Sequence, residues 1–490
     1  MTKGASFFSF KERSQVYWYN LANAISYILI LLSIVFVYPI DLDFLGRIRY
    51  VESIGHFLFP ILSFGLAQAF VNFTPLLESY HIKTFFGNSI LMVLMTTLVA
   101  FGLVYAIHLY YPLSNFYLLC MAILMGMGLA YIEIFKSKAL FLNKVNLPVY
   151  LEKLVPKLAL ILIFFYIYKE TNGNHDALVL AYVLVFILVS ILMLVYILHY
   201  TAPRFSLSEL YFFENFSKSQ LIKYSSYSLI GSIGSYLAFR IDGFLIPQYL
   251  TMEHNGLYSM ASLLAGAIII PSTGIVALNI NSISSLIYKN DFHELDQLYS
   301  TSAKKAFFYC SFVFILIWII LPFITSYHAL SYSQIPHFEY TVLVLGVGML
   351  INISTGFNTE IITYSKYIKY NIIFIVLLSI FNVVLTIWFL RYTSWGILGV
   401  AISTSISLIL YNILKLVFIK IKFNLWPFDS RYFLMIFCIA LLGLVLEVCP
   451  RVHSPLITAA IKLSITLLLY YAIKLYIIDG KKLKEDIEYY

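Results

Sequence analysis

Apolar stretches long enough to cross a lipid bilayer recur from one end of the 490-residue chain to the other. A transmembrane helix needs about 20 predominantly apolar residues, and fourteen such stretches are present. They lie at 14–38, 46–72, 84–110, 114–136, 149–168, 177–200, 222–250, 256–280, 303–325, 338–364, 370–390, 395–419, 431–449 and 455–478. Only helices and closed barrels satisfy every backbone polar group in lipid, and runs of this length indicate helices. The chain is therefore predicted to be an all-α polytopic membrane protein.

The composition excludes a water-soluble protein of this size. Hydrophobic residues make up 61% of the chain and charged residues 11%, whereas about a quarter of the residues of a soluble domain are charged. The net charge of +8 does not point to a nucleic-acid partner, because the charges fall in short connections between apolar runs. Cysteines are scattered without paired spacing, which favours a packing role over a disulfide framework or a metal site. They are Cys120, Cys310, Cys438 and Cys449.

Basic residues are distributed unevenly over the connections between the spans. With the N terminus in the cytoplasm, 25 of the 32 Lys and Arg residues fall on the cytoplasmic side and 5 on the outer side, and Arg240 and Lys462 lie within spans. Cytoplasmic loops are enriched in Lys and Arg, and a wrong span count would scramble this asymmetry. The pattern predicts fourteen transmembrane helices with both termini in the cytoplasm.

Two segments of the chain form a weak internal repeat. In both "FLGRIRYVESIGHFLFPILSFG" (44–65) and "HNGLYSMASLLAGAIIIPSTG" (254–274), an outer loop leads to a glycine and a span that contains Gly-x-x-x-x-Pro. Six spans separate the copies, so both would point the same way through the bilayer, as in transporters built from parallel repeats. Because Gly and Pro are common in membrane helices, chance is the alternative explanation.

Three stretches contain further motifs of this kind. The first, 44–62, has a Leu-Gly before a tyrosine; the second, "GLAQAFVNFTP" (65–75), ends a small-residue helix with an aromatic residue and a proline. The third, 240–271, contains an Ile-Asp and a Gly-Leu-Tyr-Ser-x-Ala. In these stretches the sequence resembles the Wzx-type polysaccharide and O-antigen flippases of the multidrug/oligosaccharidyl-lipid/polysaccharide exporter (MOP) superfamily. Asn72 departs from the basic residue that many members have there, and Val51 from a common glycine.

The resemblance implies a definite architecture. It predicts two pseudo-symmetric six-helix lobes around a central cavity, followed by two additional C-terminal helices. The corresponding divisions are 1–215 for the first lobe, 216–430 for the second, and 431–490 for the last two helices and a cytoplasmic tail.

Arg240 and Asp242 are the strongest candidates for functional residues, because charges inside spans are costly and usually functional. Residues two apart point to nearly opposite faces of a helix, so the two side chains are not expected to neutralise each other. Arg240 is about midway along its span, roughly 15 Å from either end. A guanidinium there suits a cavity that binds the diphosphate of a lipid-linked sugar. The alternative is a salt bridge between helices, for instance to Glu360.

Four further residues are weaker candidates. Gln68 and Asn72 lie one turn apart and would suit sugar hydroxyls, although hydrogen bonds between helices explain them equally well. Lys462 is either a cavity residue or, as its position two turns into the last span favours, an interface anchor. Glu360 and Asp242 are candidates for coupling to a proton or sodium gradient, since a carboxyl in a dry site can hold a proton.

The resemblance implies a flippase that moves polyprenyl-diphosphate-linked oligosaccharide across a bacterial cytoplasmic membrane by alternating access. Such a protein serves assembly of O-antigen and lipopolysaccharide, capsule or exopolysaccharide, beside glycosyltransferases and a polysaccharide polymerase. No enzymatic activity and no cofactor are expected, apart from possible H⁺ or Na⁺ coupling, and nucleic acid is not an expected partner. The sequence has no Gly-x-x-x-x-Gly-Lys-Ser/Thr loop, which excludes direct drive by ATP.

Other functions remain open at this point. A drug/cation antiporter of the same superfamily usually has twelve spans, and a lipid II flippase would be expected to hold several cavity arginines. A membrane polymerase or acyltransferase acting on the same lipid-linked sugar is disfavoured, because no large outer loop and no acid–base–nucleophile constellation is present.

Overall fold

The computed structural model describes residues 10–170, 174–206, 218–327, 338–448 and 455–478, and every regular element within them is helical. The first helices are α1 (Phe10–Phe36), α2 (Leu42–Ser63), α3 (Leu66–Phe73), α4 (Ser79–Tyr110), α5 (Phe116–Phe141), α6 (Asn146–Lys169) and α7 (His175–Leu198). The middle helices are α8 (Lys218–Arg240), α9 (Asp242–Tyr249), α10 (Met252–Ala267), α11 (Ile270–Lys289) and α12 (Phe292–Tyr327). The last are α13 (Phe338–Ser354), α14 (Asn358–Tyr364), α15 (Ile368–Tyr392), α16 (Gly396–Phe423), α17 (Ser430–Val448) and α18 (Pro455–Ile473). The predicted all-α class is confirmed for these residues.

The described helices limit the number of membrane spans to a range. Ten described helices are long and apolar enough to cross a membrane, and three bent helix pairs raise the number to 13. The helix α6 occupies the predicted fifth span. It is not among the ten, because it contains the charged residues Glu152, Lys153 and Lys157. The count of fourteen and the cytoplasmic orientation of the termini stay predictions, and the tail at 479–490 lies outside the described residues.

Three predicted spans are bent in their interiors. The chain turns by 48° between α2 and α3, by 49° between α8 and α9, and by 46° between α13 and α14. At the first bend Phe64 and Gly65 have positive φ angles of 49° and 66°, a conformation that glycine adopts without steric cost. At the third bend Gly356 has a φ of 66°. Each bend leaves a short second helix whose side chains no longer follow the first helix.

The chain forms two compact units, Met1–Ser259 (unit 1) and Met260–Tyr490 (unit 2). Their boundary differs from the predicted division at 215/216, because α8 and α9 pack against α2. The predicted lobes follow the expected six-helix pattern, whereas the two units follow the packing of the chain. The division at 215/216 therefore stays a prediction.

Within unit 1, the two repeat segments touch through equivalent glycines. A Cβ atom on Gly46 would lie 1.7 Å from the Met252 carbonyl oxygen, and one on Gly256 would lie 2.1 Å from the Leu42 carbonyl oxygen. The Asn255 side chain donates to the Gly46 carbonyl at 2.8 Å. This reciprocal contact, 42 with 256 and 46 with 252, is what a local twofold relation between the segments would produce.

Two of the described cysteines, Cys310 and Cys438, pack in a hydrophobic cluster of unit 2. Cys120, Cys310 and Cys438 are free, and Cys310 is completely buried. Cys449 lies outside the described residues.

Candidate functional site

Glu52 on α2 is a buried carboxylate at the centre of a hydrogen-bonded group in unit 1. Arg49, one turn earlier on the same helix, donates to one carboxylate oxygen, and the Tyr182 hydroxyl of α7 donates to the other at 2.7 Å. The exposed fractions of the Arg49 and Glu52 side chains are 17% and 8%. Such a pair is stable in an apolar interior only when its remaining polar groups also find partners.

The remaining groups around Arg49 are only partly satisfied. Its guanidinium lies 5.8 Å from the centre of the Tyr38 ring, a distance at which the ring face attracts a cation. The Arg49 Nε atom is buried and has no hydrogen-bond partner among the described residues. The Arg49 guanidinium therefore keeps one N–H donor without an acceptor among the described residues.

Arg240 lines a cavity of about 360 Å³ in unit 1. It is the last residue of α8, and its side chain is exposed. The walls also include Ser53 and Phe57 of α2 and Tyr236 of α8. Arg240 makes no ion pair within 4 Å of any described carboxylate, so the alternative of a salt bridge between helices is not observed there.

The charges of α2 and α8 continue into α5 and α6. The Lys136 ammonium lies 2.6 Å from Glu133 and 3.2 Å from Glu152, and Lys153 lies 3.6 Å from Glu152. A second cavity of about 210 Å³ opens beside them. Lys157 donates to the Ser26 hydroxyl and is close enough to Arg49 and Glu52 for electrostatic interaction.

Together these side chains form one group, which we call the charged cluster. Tyr236 interacts electrostatically with members on α5, α6 and α8. The members are Arg49, Glu52, Glu133, Lys136, Glu152, Lys153, Lys157 and Arg240. Five are cationic and three acidic, which gives the cluster a net charge of +2. A cluster with this charge favours the binding of an anion that bears about two negative charges.

Asp242 is placed differently from the sequence-based expectation. The bend at Ile241 separates it from Arg240: it is the first residue of α9, is 5% exposed, and accepts a hydrogen bond from the Tyr258 hydroxyl at 2.6 Å. It does not line the cavity beside Arg240. Arg240 therefore lines a cavity and Asp242 does not, and the expected roles of both residues stay predictions.

Gln68 and Asn72 lie on α3, beyond the first bend, and both are exposed. Gln68 accepts a hydrogen bond from the Ser228 hydroxyl of α8 at 2.9 Å. The two residues share a short helix as predicted, but neither lines the Arg240 cavity. Their assignment to sugar hydroxyls stays a prediction.

The other two predicted residues belong to unit 2. Glu360 lies in the first turn of α14 and lines a separate cavity. Lys462 lies on α18 and is half-buried. In unit 2 the sequence-based reasoning missed Lys415, whose side chain is buried on α16. It donates to the Thr359 hydroxyl at 2.5 Å and lies 4.1 Å from the centre of the Tyr411 ring.

Most members of the charged cluster were assigned from the sequence to loops or interfaces. Lys153 and Lys157 were counted with the cytoplasmic charges although both lie inside the predicted span 149–168. The signal that could have found them was available: charged residues within a membrane span usually face a cavity or each other. Arg49 and Glu52, three residues apart near the start of a span, could have been recognised as a pair.

No group of three or more His, Cys, Asp or Glu side chains with metal-binding geometry occurs among the described residues. The acidic members of the charged cluster are already engaged by lysine and arginine.

The fold defines a class before any particular relative does: a polytopic helical membrane protein with bent spans and a charged interior. No protein-family model and no curated protein matches the sequence. Among solved structures, a lipid II flippase MurJ in an inward closed conformation matches with a TM-score of 0.71 and 16% identity, over 95% of this chain and 99% of that one. An inward-facing multidrug resistance MATE family transporter of the MOP superfamily matches with a TM-score of 0.61 and 15% identity, over 83% of this chain and 94% of that one. An outward-facing MATE transporter matches with a TM-score of 0.53 and 14% identity, over 83% and 93%.

At these identities the likeness establishes the fold. The chain has the fold that these transporters share.

Proposed function

We propose that the protein is a flippase that moves a polyprenyl-diphosphate-linked oligosaccharide across a bacterial cytoplasmic membrane by alternating access. The observation that supports this most strongly is the charged cluster, with a net charge of +2 and with Arg240 facing a cavity. A diphosphate that links a lipid to a sugar bears about two negative charges, and a guanidinium donates to phosphate oxygens in parallel pairs.

The sign of the cluster separates this proposal from a drug/cation antiporter. A site for cationic drugs needs an excess of acidic groups, whereas the charged cluster has an excess of basic ones. An enzyme acting on the same lipid would need an acid, a base and a nucleophile in mutual contact. The acidic groups of the cluster are instead engaged in ion pairs.

A lipid II flippase is the second candidate, because lipid II is also a polyprenyl-diphosphate-linked sugar and the MurJ match covers 95% of the chain. A lipid II flippase would be expected to hold several cavity arginines, and Arg49 is a second arginine in the charged cluster, within electrostatic reach of Arg240. Within the primary proposal, the glycan serves O-antigen, lipopolysaccharide, capsule or exopolysaccharide assembly, next to glycosyltransferases and a polymerase. The two candidates share the diphosphate and differ in the sugar.

Coupling to a proton or sodium gradient belongs to the proposal, with Asp242 and Glu360 as its candidate residues. Asp242 is hydrogen-bonded to Tyr258, and Glu360 lies near the buried ammonium of Lys415. Imposing a gradient of one ion at a time on proteoliposomes identifies the coupling ion, and Asp242→Asn and Glu360→Gln then show which carboxylate responds.

A flipping assay in proteoliposomes tests the function. A fluorescent polyprenyl-diphosphate-linked disaccharide is placed in both leaflets, and the fraction reached by a membrane-impermeant quencher is followed over time. The wild-type protein should translocate it much faster than protein-free liposomes, and Arg240→Gln should slow the rate by at least about tenfold, the effect of about 1.4 kcal/mol. Arg391→Gln, at an exposed site near the end of α15, is the matched control. A wild-type rate equal to that of empty liposomes, for lipid II as well as for other glycans, would contradict the proposal.

A further inference from the structure

Unit 2 contains its own cavity, at the bend between α13 and α14. Its volume is about 360 Å³, within the usual range of small-molecule sites. Polar side chains from three parts of unit 2 line it: Ser272 and Thr273 of α11, Ser302 of α12, and Asn352, Asn358 and Glu360 around the bend. Polar groups inside a membrane protein are costly unless they meet water or a polar ligand.

A buried asparagine on α16 fixes the orientation of this wall. The Asn412 carbonyl oxygen accepts hydrogen bonds from the Thr355 hydroxyl at 3.0 Å and from the Asn358 amide at 3.1 Å. The Asn412 NH₂ group in turn donates to the side-chain oxygen of Asn352, Oδ1, at 2.9 Å. This leaves the Asn352 NH₂ group to donate into the cavity. The amides are therefore preorganised, which lowers the entropy cost of binding.

The charges at this cavity are already balanced. Glu360 is one acidic residue of its wall, and the Lys415 ammonium lies behind it, close enough for electrostatic attraction but beyond the 4 Å of an ion pair. Lys415 is 1% exposed, so its amine is held in place behind Glu360. A wall of this charge does not attract an anion.

The backbone carbonyls released by the bend are also occupied. The Thr355 carbonyl accepts from the Tyr299 hydroxyl at 2.7 Å, and the Ser354 carbonyl accepts from the Tyr432 hydroxyl at 3.0 Å. Unwound helix carbonyls coordinate ions in several transporters. Here two of them have tyrosine donors instead, which argues against a cation held by these carbonyls.

We infer that the cavity of unit 2 binds a neutral sugar ring, through the Asn352 amide and the hydroxyls of α11. The Asn358 amide already donates to Thr355 and Asn412 and holds the wall in place. Amides and hydroxyls in fixed positions match the donors and acceptors of a carbohydrate, and a site built to pair with hydroxyls rejects ligands that lack them. The identity of the ligand as part of the transported oligosaccharide rests on the proposed function. The diphosphate is recognised in unit 1 and needs no group from this cavity.

Binding of simple sugars to the whole protein in nanodiscs tests this inference. Saturation-transfer NMR with N-acetylglucosamine, glucose, galactose and rhamnose should give a signal for at least one of them. Thr273→Leu, which fills the cavity from α11, should abolish that signal, and Asn352→Ala should weaken binding about three- to tenfold, as loss of one hydrogen bond predicts. Ser284→Leu, at an exposed position of the same helix outside the cavity, should leave the signal unchanged.

Three results would overturn the inference. The first is the absence of a signal for all four sugars. The second is equal sugar binding by Thr273→Leu and the wild type. The third is loss of ion coupling in Glu360→Gln together with sugar binding that no cavity variant changes. The last result would assign the cavity to the coupling ion. Failure here is distinguishable from failure of the proposed function, because Arg240→Gln should slow flipping by at least about tenfold while sugar binding in unit 2 persists.

Discussion

Glu52 connects the functional charges of unit 1. It accepts from Arg49 and Tyr182 and is within electrostatic reach of Arg240, so one carboxylate compensates parts of two guanidinium groups. His56 is tied to the same turn, with its Nδ1 atom 2.7 Å from the Glu52 carbonyl oxygen. A diphosphate that approached Arg240 would compete with Glu52 for the same positive charge, which provides a simple way to exchange one partner for another.

Removing the Glu52 charge should destabilise the protein. Glu52→Gln leaves Arg49 buried without its counter-charge, and loss of one partner of a buried pair costs about 3–5 kcal/mol. Thermal unfolding in detergent measures the effect. Glu447→Gln, at an exposed position of α17, serves as the control and should change little.

The double variant Arg49→Met, Glu52→Leu makes this prediction specific. Replacement of a whole buried pair by apolar side chains is often neutral or stabilising, so the double variant should recover most of the stability that the single change removes. If Glu52→Gln unfolded at the wild-type temperature, the pair would not be the electrostatic centre of unit 1.

Single residues also show what the sequence could and could not predict. Arg240 was recognisable because it lies in the middle of an apolar run, where a charge has no bland explanation. Arg49 was not, because it lies close to the predicted start of a span, where basic residues normally belong to loops. Lys153 and Lys157 were obscured for the same reason, although α6 continues through them.

The bent helices determine which of these side chains reach a cavity. Arg240 ends α8 at a bend of 49°, and Asp242 begins α9 on the other side of it. Hydrophobicity could predict the position of the span but not the bend, because a bend arises from local backbone geometry and packing. Gly65 indicates how specific that geometry is: a Cβ atom there would lie 2.5 Å from the Ser225 carbonyl oxygen.

The contact between α2 and α10 should depend on its two glycines. Gly46→Ala or Gly256→Ala forces a methyl group into a backbone carbonyl, and the two helices must separate. Unfolding temperatures measured in detergent should fall for both variants. Gly102→Ala is the matched control, since no atom lies within 4 Å of its added Cβ and alanine favours a helix over glycine. Equal stability of all three variants would show that the close contact is not required.

The connection between α16 and α17 should respond to pH through Asp429. Burial alone would raise the pKa of this carboxyl, but hydrogen bonds from the Lys304 ammonium at 2.6 Å and the Tyr432 backbone N–H at 2.8 Å lower it below its ordinary value. A depressed pKa stabilises the fold above the pKa of the unfolded state, and the stabilisation is lost as the pH falls through the folded pKa.

The difference in unfolding temperature between the wild type and Asp429→Asn isolates this effect. Asparagine can still cap the helix, so the difference reports the charge. The difference in unfolding temperature should be present at pH 6. It should decrease as the pH falls below about 4, where an unperturbed aspartate becomes protonated. A difference that stayed constant down to pH 3 would exclude the charge as its source.

The two units differ in the chemistry of their interiors. Unit 1 contains the charged cluster with its net charge of +2, and unit 2 contains an amide-lined cavity whose acidic residue is compensated by a buried lysine. A lipid-linked oligosaccharide has the same two chemical parts, an anionic diphosphate and neutral sugar rings. The class of protein could be predicted from apolar run lengths, because lipid restricts the choice of fold. The chemistry of the cavities could not, because it depends on side chains far apart in the sequence.

Equilibrium binding of farnesyl diphosphate and farnesyl monophosphate to the purified protein tests the central claim most directly. The diphosphate should bind about tenfold more tightly than the monophosphate, equivalent to about 1.4 kcal/mol, and its affinity should fall with added salt because the attraction is electrostatic. Arg240→Gln should remove this preference, and Arg391→Gln should retain it. Equal affinity for the two ligands in the wild type, or an unchanged preference in Arg240→Gln, would contradict a diphosphate site at Arg240.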